Sequence, residues 1–185
     1  MAAARQNKVR IGGGAWRSRL LRFPDALGLR PTPDRVRQTL FNWLGQELHG
    51  LHCLDLFAGS GALGFEALSR GAAGVTLVEQ NPAVFRALQE NAGLLQAAHA
   101  ELLKADALQF LAQDTRRFDV IFLDPPFDRG WEERLLPQIG RHLQPGGRLY
   151  LEAGHALAGT PAWRVLRHSK AGAVHYHLLE SADAL

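Results

Sequence analysis

Short apolar runs alternate with amphipathic stretches along most of this chain, and this alternation limits the possible folds more than any other feature. The runs rich in β-branched and aromatic residues, which favour strands, span 52–57, 74–79, 100–105, 118–124 and 147–153. The stretches between them repeat their apolar residues at helical spacing. Strands that alternate with helices pair in parallel through right-handed crossovers, with helices on both faces of the sheet. The sequence therefore predicts an α/β fold with a Rossmann-like, mostly parallel sheet.

The carboxyl end has a different pattern. Two alternating runs, 162–169 and 173–181, flank a turn predicted at 170–172. They predict an antiparallel hairpin, which brings the sheet to seven strands. The hairpin carries a close pair of histidines, His175 and His177, but further ligands at metal-binding spacing are missing from the sequence around them, so we expect no metal.

A helix is predicted ahead of the first parallel strand. Thr32 has the side chain of a helix N-cap and Pro33 fits the first helical position. Val36 and Leu40 then recur at helical spacing, and the pattern predicts a helix that ends between residues 48 and 50.

The stretch LDLFAGSGALG carries three glycines, Gly59, Gly61 and Gly64, in the spacing of a ligand-binding turn between a strand and a helix. Asp55 lies at the end of that strand, where its charge would repel a pyrophosphate and attract an ammonium or a sulfonium. The alternative is a structural turn with a capping acid. The residues expected to line a cofactor here are Asp55, Phe57, Ala58, Gly59, Ser60 and Gly61.

Two further acids follow the next two strands. Glu79, with Gln80 and Asn81 after it, is placed to accept hydrogen bonds from ribose hydroxyls. Asp106, followed by Ala107, could accept the amino hydrogens of adenine. Glu79 could equally be an exposed strand end, and Asp106 could simply cap a helix.

The fourth predicted strand ends at Asp124, which is followed by Pro125, Pro126 and Phe127. Prolines cannot donate to a β-ladder, so strand pairing ends there and the chain becomes a stiff, extended tip. The Asp124 carboxylate and the carbonyls beside it are all hydrogen-bond acceptors next to an aromatic ring, which suits a planar ligand with an amino group. The alternative is a polar strand end with a proline turn and a core phenylalanine.

Positive charge is concentrated at the amino end. Residues 1–40 carry nine Arg or Lys against two acids, whereas the remainder carries twelve against sixteen. A basic end on a mildly acidic body indicates contact with a nucleic acid, although a solvated tail is the simpler alternative. The residues predicted to contact RNA are Arg10, Trp16, Arg17, Arg19, Arg35 and Arg37. Arg35 and Arg37 could instead form the solvated face of their helix.

The acids, the glycine turn and the DPPF tip together resemble the class I S-adenosylmethionine-dependent methyltransferases. With RIGGGAWRSRLL and LRPTPDRVRQTLFNWL, the chain resembles, over nearly its whole length, the RsmD-like 16S rRNA methyltransferases that modify the N2 amine of guanine 966. The resemblance implies S-adenosylmethionine as cofactor, a catalytic Asp124-Pro125-Pro126-Phe127 tip, and 16S rRNA of the small ribosomal subunit as partner. Whether free RNA or the assembled subunit is the substrate stays open.

Three other functions remain possible from the sequence. An Asp-initiated DPPF also occurs in some adenine-N6 methyltransferases, so the tip alone does not separate guanine from adenine. The glycine turn with Glu79 would also fit an NAD-dependent oxidoreductase, but DPPF would then have no task. An RNA-binding assembly factor without turnover is the third alternative.

The predicted organisation is a basic RNA-contacting extension, 1–30, followed by a methyltransferase domain, 31–185. The chain has no apolar stretch long enough to span a bilayer and lacks a signal-peptide pattern at its amino terminus. We therefore expect a cytoplasmic protein without a membrane partner, and we expect it to be a monomer. The single cysteine, Cys53, cannot form an internal disulfide.

Overall fold

A seven-stranded sheet forms the centre of the computed structural model, which describes residues 6–26, 29–126 and 130–182. A separate two-stranded hairpin precedes it. The strands are β1 (Gln6–Arg10), β2 (Leu20–Pro24), β3 (His52–Asp55), β4 (Gly74–Val78), β5 (Ala100–Leu103), β6 (Phe118–Leu123), β7 (Leu143–Ala153), β8 (Trp163–Ala171) and β9 (Val174–Ser181). The helices are α1 (Asp34–Leu44), α2 (Ala62–Ser69), α3 (Pro82–Leu95), α4 (Ala107–Gln113) and α5 (Trp131–Ile139), with one 3₁₀ turn at Gly140–His142.

The order of the strands confirms the predicted fold class. The sheet runs β5-β4-β3-β6-β7-β9-β8, in which β3 to β7 are parallel and β9 is antiparallel to both of its neighbours. The chain moves outward from β3 in one direction through β4 and β5, then returns to place β6 on the other side of β3. In open α/β sheets, ligands bind at the carboxyl ends of the strands at such a switch point.

Each face of the sheet has its own hydrophobic core. Along β3, β6 and β7, successive residues alternate between the two cores, as the pleat of a strand requires. Phe122 and Tyr150 face α1 and α2, for example, whereas Leu123 and Leu151 face α4 and α5. Both faces are thus covered, which explains why most inner residues of these strands are apolar.

The amino-terminal hairpin packs on the face that carries α1, α2 and α3. Its inward residues, Val9, Leu21 and Phe23, are buried in the same core as α1. The Asn91 side chain of α3 also binds both the backbone N–H and the carbonyl of Arg22, at 3.0 and 2.8 Å. The boundary predicted at residue 30 stays a prediction, and residues 6–24 contribute to this core.

Several predicted boundaries were wrong by a few residues. The strands β3 to β6 end one or two residues earlier than expected, and β7 begins at Leu143 rather than at 147. The first helix ends at Leu44, because Gly45 adopts a left-handed conformation (φ 96°) that closes the helix. The turn of the carboxyl-terminal hairpin lies at 172–173, since β8 continues through Ala171.

Thr32 does not cap α1, which corrects the predicted N-cap. The residue in the N-cap position is Pro33, and its side chain makes no capping hydrogen bond. The Thr32 side chain is instead buried and directed toward β6 and β7. Over the ranges that the structure describes, there is no helix of the length and apolar character that a membrane span requires.

Candidate active site

The switch point brings two acids of the predicted site together. Asp55 is the last residue of β3 and pairs with Phe122 of β6, and Asp124 follows two residues later on the same strand end. The carboxyl ends of β3 and β6 therefore carry one carboxylate each, side by side. Electrostatic contact between Asp55 and Asp124 contributes to raising the pKa of Asp124.

Asp55 is buried, with 1% of its surface exposed. Its Oδ2 accepts a hydrogen bond from the Gly64 N–H at 3.0 Å. A side chain at Gly64 would place its Cβ 2.6 Å from Leu77 Cδ2 and 3.2 Å from this Oδ2, so a larger residue would force the Leu77 side chain to move. Burial, followed by the nearby Glu79 charge, raises the pKa of Asp55 to about 7, although the Gly64 hydrogen bond opposes this. A buried carboxylate of this kind gains from a cationic ligand.

Glu79 holds the glycine turn with both of its oxygens. Oε2 accepts from the Gly59 N–H at 3.0 Å, and Oε1 accepts from the Asn81 N–H at 2.8 Å. Each carboxylate oxygen has a second lone pair, so a diol could still bind at this half-buried residue. Asn81 caps α3 through its side chain, while Gln80 is exposed.

Asp106 is the N-cap of α4. Its Oδ1 accepts from the N–H groups of Leu108 and Gln109, both at 3.0 Å. The capping alternative is thus correct, and the second oxygen, Oδ2, is the one that could accept from a ligand. Ala107, the next residue, is buried against the core of α4 and α5.

The remaining residues of the turn are buried or partly buried. Ala58 and Ser60 are buried, and the Ala58 N–H donates to the Val78 carbonyl. Phe57 is partly exposed and packs edge-to-face on Trp131, with ring centroids 5.1 Å apart. The structure therefore brings the predicted cofactor residues to one edge of the sheet.

The DPP tip continues β6 beyond its last paired residue. Asp124 is partly exposed, Pro125 is buried and Pro126 is partly exposed. Phe127 lies outside the described residues. The Thr32 hydroxyl lies 3.2 Å from Asp124 Oδ2, so the segment before α1 reaches the predicted catalytic carboxylate.

The sequence analysis did not predict that Glu152 and Tyr150 lie beside Asp124. Leu123 pairs with Leu151, so the next residue on each strand, Asp124 and Glu152, stand side by side. Glu152 Oε1 lies 3.0 Å from the Thr32 hydroxyl and accepts a hydrogen bond from the Tyr150 hydroxyl at 2.7 Å. Burial, followed by the Glu152 charge, raises the pKa of Asp124 well above its usual range. An acid directly after a short apolar run, as in LYLE, is the signal that could have identified Glu152.

Arg37 corrects one of the predicted RNA contacts. Its guanidinium is buried and donates to the carbonyls of Thr32 and Arg10 at 2.7 and 2.5 Å, and to Asp34 at 2.7 Å. A guanidinium held in this way is not available to a phosphate. Arg37 instead fastens the hairpin and the segment before α1 to each other.

The other predicted RNA residues lie on or near the surface. Arg10, Arg17, Arg19 and Arg35 are exposed. Trp16 is half-buried against the core of α1 and α2. The Arg19 side chain donates to the Leu94 carbonyl at the end of α3, at 2.6 Å.

Two further cations were missed by the sequence analysis. Lys8 and Arg22 lie directly opposite each other on β1 and β2, and both are exposed. Like charges in directly opposed positions destabilise a hairpin. Such a pair is therefore a candidate for binding an anion. The alternation of residues along β1 and β2 was the sequence pattern that could have identified it.

Within the part of the chain that the structure describes, His, Cys, Asp and Glu side chains form no group of three or more that could hold a metal ion. His168, His175 and His177 stack along the hairpin of β8 and β9. His177 is buried, and its ring nitrogens contact the Leu157 N–H and the Leu151 carbonyl. This histidine is thus a structural residue of the sheet.

Comparison with known proteins points to one family. A family model described as conserved hypothetical protein 95 matches residues 9–180. Ribosomal RNA small subunit methyltransferase D of Escherichia coli strain K12 is 45% identical over 178 residues, which cover 94% of this chain and 90% of that protein. The protein of the same name from Haemophilus influenzae is 40% identical over 184 residues, or 95% of each chain.

Solved structures agree with this result. The Escherichia coli protein yhhF superposes with a TM-score of 0.86 at 40% identity, over 95% of this chain and 98% of the other. A ribosomal protein L11 methylase from Lactobacillus delbrueckii, at 20% identity and a TM-score of 0.66, shares the fold over 84% of this chain and 82% of its own.

Proposed function

Because this chain belongs to the family described as conserved hypothetical protein 95, we propose that it methylates the N2 amine of a guanine, position 966, in the 16S rRNA of the small ribosomal subunit. The methyl donor in this proposal is S-adenosylmethionine. Two relatives with 40% identity or more carry the name ribosomal RNA small subunit methyltransferase D. These names favour a methyltransferase over the NAD-dependent oxidoreductase.

The observation that carries the proposal is that Asp55 and Asp124 lie at neighbouring strand ends at the switch point. A buried acid above a glycine turn suits a cation, and the proline-stiffened acceptors next to it suit an amine. An electrophilic cation and a nucleophilic amine would then meet between two neighbouring strands. The proposal assigns the catalytic part to Asp124, Pro125, Pro126 and Phe127.

The residues that would hold the donor fit its chemistry. Asp55 would bind the positively charged methionine end, Glu79 the ribose and Asp106 the adenine. The other residues proposed to line the donor are Phe57, Ala58, Gly59, Ser60, Gly61, Gln80, Asn81 and Ala107. S-adenosylmethionine supplies a methyl group on a sulfonium, which needs alignment with the nucleophile more than activation. Positioning of this kind contributes roughly 7–11 kcal/mol to catalysis.

Asp124 and the Pro125 carbonyl would hold the two amine hydrogens. Both are acceptors, so the nitrogen lone pair would turn toward the methyl group. Asp124 would also stabilise the positive charge that develops on nitrogen, an effect of about 2.7–4 kcal/mol where a single group of this kind has been removed. After the transfer, the nitrogen would pass one of its protons to Asp124 or to water.

Binding of S-adenosylmethionine should weaken as the pH falls. The pKa of Asp55 is raised to about 7 in the free protein, and a bound cation favours the ionised carboxylate. Affinity is therefore complete above pH 7 and is lost as the pH drops through 7, so Kd should rise about tenfold between pH 8 and pH 6. Isothermal titration calorimetry at both values measures this.

The control is Asp55→Asn, which has no charge to lose. The ligand itself titrates equally in both proteins, so only the difference between them reports on Asp55. If the affinity of the unmodified protein changed with pH no more than that of Asp55→Asn, Asp55 would not be the group that binds the cation.

RNA contact is proposed for the outward face of the amino-terminal hairpin. Lys8 and Arg22 lie opposite each other there, and the next outward pair is Arg10 opposite Leu20, an exposed apolar side chain. Arg17, Arg19 and Arg35 extend the basic surface, and Trp16 could stack on a base. Guanine N2 lies on the Watson–Crick side of the base, so a loop nucleotide is reached at lower cost than a paired one.

Removal of Lys8 and Arg22 together should reduce the salt dependence of RNA binding. Each lost phosphate contact lowers the slope of log K against log salt by about one, so Lys8→Ala/Arg22→Ala should lower it by about one to two. Arg167→Ala, an exposed cation on β8, is the matched control. Filter binding at about 50 to 200 mM salt, the range in which phosphate contacts change the affinity, measures both slopes. Equal slopes in the two variants would remove this face from the RNA site.

Transfer of a labelled methyl group tests the function itself. The protein is incubated with methyl-labelled S-adenosylmethionine and small subunits from cells that lack the modification, in parallel with free 16S rRNA. We expect label in the rRNA, and the comparison shows which form is the substrate. If the donor binds but neither RNA takes up label, the protein is an RNA-binding assembly factor.

A further inference from the structure

Three side chains from distant parts of the chain form a buried cluster around Asp124. Thr32 precedes α1, and Tyr150 and Glu152 belong to β7; their exposed fractions are 5%, 0% and 4%. The Thr32 hydroxyl lies 3.2 Å from Asp124 Oδ2 and 3.0 Å from Glu152 Oε1. Among the neighbouring groups, the Glu152 carboxyl has the largest effect on the pKa of Asp124.

The hydrogens of this cluster do not suffice for two ionised carboxylates. Thr32 has one hydroxyl hydrogen but contacts two carboxyl oxygens, and the Tyr150 hydrogen is already directed to Glu152. With both acids ionised, an oxygen lone pair of Thr32 would face a negative oxygen at about 3 Å with no hydrogen between them. One proton on the acid pair supplies the missing hydrogen.

We propose that Glu152 is a positioning residue that shares one proton with Asp124 across Thr32, and that this single-proton pair is the form that receives the target amine. The shared proton does not depend on the proposed function, whereas the role of the pair in receiving the amine rests on it. Glu152 does not touch the amine in this arrangement. It holds the Asp124 carboxyl in one orientation, so that the oxygen not used by Thr32 is free to accept from the substrate.

The surroundings of Asp124 support one shared proton. Within the ranges that the structure describes, the titratable groups that act on it include Glu152 on β7 and Asp55 on β3, while Tyr150 on β7 and Tyr176 on β9 lie beside Glu152 and each other. All of these are acids. Among the described residues, Arg37 is a cation that bonds to this cluster, and it donates to the Thr32 carbonyl rather than to a carboxylate of the pair. Burial and the Glu152 charge both raise the pKa of Asp124, in agreement with a proton held between the two acids.

The shared proton can be measured without any substrate. In protein labelled with ¹³C at the aspartate carboxyl carbon, the Asp124 signal is identified by its loss in Asp124→Asn, and its pKa is read from a pH titration. We expect Glu152→Gln to lower this pKa by at least about one unit, because a neighbouring negative charge is removed. Glu180→Gln, which removes a carboxylate on β9 that pairs with Arg148 and Arg164, should leave it unchanged. An unchanged Asp124 pKa in Glu152→Gln would overturn the shared proton.

Methyl transfer tests the positioning role. The amide introduced by Glu152→Gln permanently supplies the hydrogen that the shared proton supplies in the unmodified protein. The ratio of the single-turnover rate of Glu152→Gln to that of the unmodified protein should therefore rise as the pH passes the Asp124 pKa found by NMR. A ratio that stays constant over the whole pH range would mean that Glu152 has only a structural role.

Thr32 provides a second pair of variants if Glu152→Gln does not fold. Thr32→Ser keeps the hydroxyl, whereas Thr32→Val replaces it with a methyl group of similar size. We expect the rate to fall about 100-fold in Thr32→Val, as for a misplaced catalytic group, and to stay within about threefold in Thr32→Ser, with equal affinity for S-adenosylmethionine in both. Equal rates in the two variants would overturn the proposal. If the unmodified protein itself transferred no methyl group, the proposed function would fail, and the NMR titration would still decide the shared proton.

Discussion

Replacement of Asp124 by alanine should reduce methyl transfer about 10²- to 10³-fold while leaving the Kd for S-adenosylmethionine within about twofold. The reduction is that found when one stabilising group is removed from the place where charge develops in a transition state. The cofactor affinity should persist because the groups assigned to the donor, which are Asp55, the glycine turn and Glu79, are carried by β3, β4 and the turns after them, whereas Asp124 follows β6 and is assigned to the amine. Single-turnover transfer to small-subunit rRNA and calorimetry measure the two quantities.

Asp119→Ala is the matched control for this variant. Asp119 lies on the same strand, β6, but at its opposite end, where its carboxylate accepts a hydrogen bond from the His52 N–H at 2.8 Å. The control should transfer methyl groups at close to the unmodified rate. Comparable rates in Asp119→Ala and Asp124→Ala would remove Asp124 from the site.

The largest effect on stability is expected from Glu66→Ala. Glu66 is 1% exposed, and its carboxylate binds Arg70 at 2.9 Å, lies 3.9 Å from the Arg37 guanidinium and accepts from the Gly12 N–H at 2.9 Å. Removal of one partner from a buried ion pair leaves an uncompensated charge and costs about 3–5 kcal/mol. The free energy of unfolding in urea, followed by tryptophan fluorescence, should fall by this amount.

Glu90→Ala, an exposed acid on α3, is the control and should change the free energy of unfolding by less than about 0.5 kcal/mol. The buried ion pairs explain why the effect at Glu66 should be larger, since they join α1, α2 and the bend after β1. A loss at Glu66 no greater than that at Glu90 would show that these pairs do not hold the hairpin in place.

The bend itself shows what the three consecutive glycines do. Gly14 has φ 78°, and a Cβ there would lie 1.8 Å from the Ser69 carbonyl oxygen. The next residue, Ala15, donates its N–H to that same carbonyl at 2.7 Å. The glycines thus allow the bend to pack directly on the end of α2.

The sequence was sufficient for the sheet and for the acids at its edge. The apolar runs and the helical stretches between them predicted parallel strands, and parallel strands place their carboxyl ends along one edge. Asp55, Glu79 and Asp106 each follow directly from that rule, because each stands at the end of its own strand or at the start of the next helix.

The cluster around Asp124 could not be predicted in the same way. Thr32 is 92 residues from Asp124 and 120 from Glu152, and no local pattern joins them. The N-cap preference of threonine is a local rule, and here contacts of long sequence separation override it. The adjacency of Asp124 and Glu152 depends on the register between β6 and β7, which includes a shift between Phe118 and Val120.

Arg37 was assigned from its charge rather than from its position on the helix. Leu40, Phe41 and Leu44 follow it at helical spacing, so its side chain lies on the buried side of α1. The hairpin covers this side, and the Arg10 carbonyl accepts from the guanidinium. The Arg10 carbonyl belongs to a strand 27 residues away, and the helix alone does not predict that hydrogen-bond partner.

Identification of the methylated nucleotide tests the central claim most directly. Small subunits from cells without this protein are incubated with it and S-adenosylmethionine, and the 16S rRNA is digested and analysed by mass spectrometry. The account predicts one new N2-methylguanosine, at position 966, and none with Asp124→Ala. A methyl group on adenine N6, on another atom or on no nucleotide at all would contradict it.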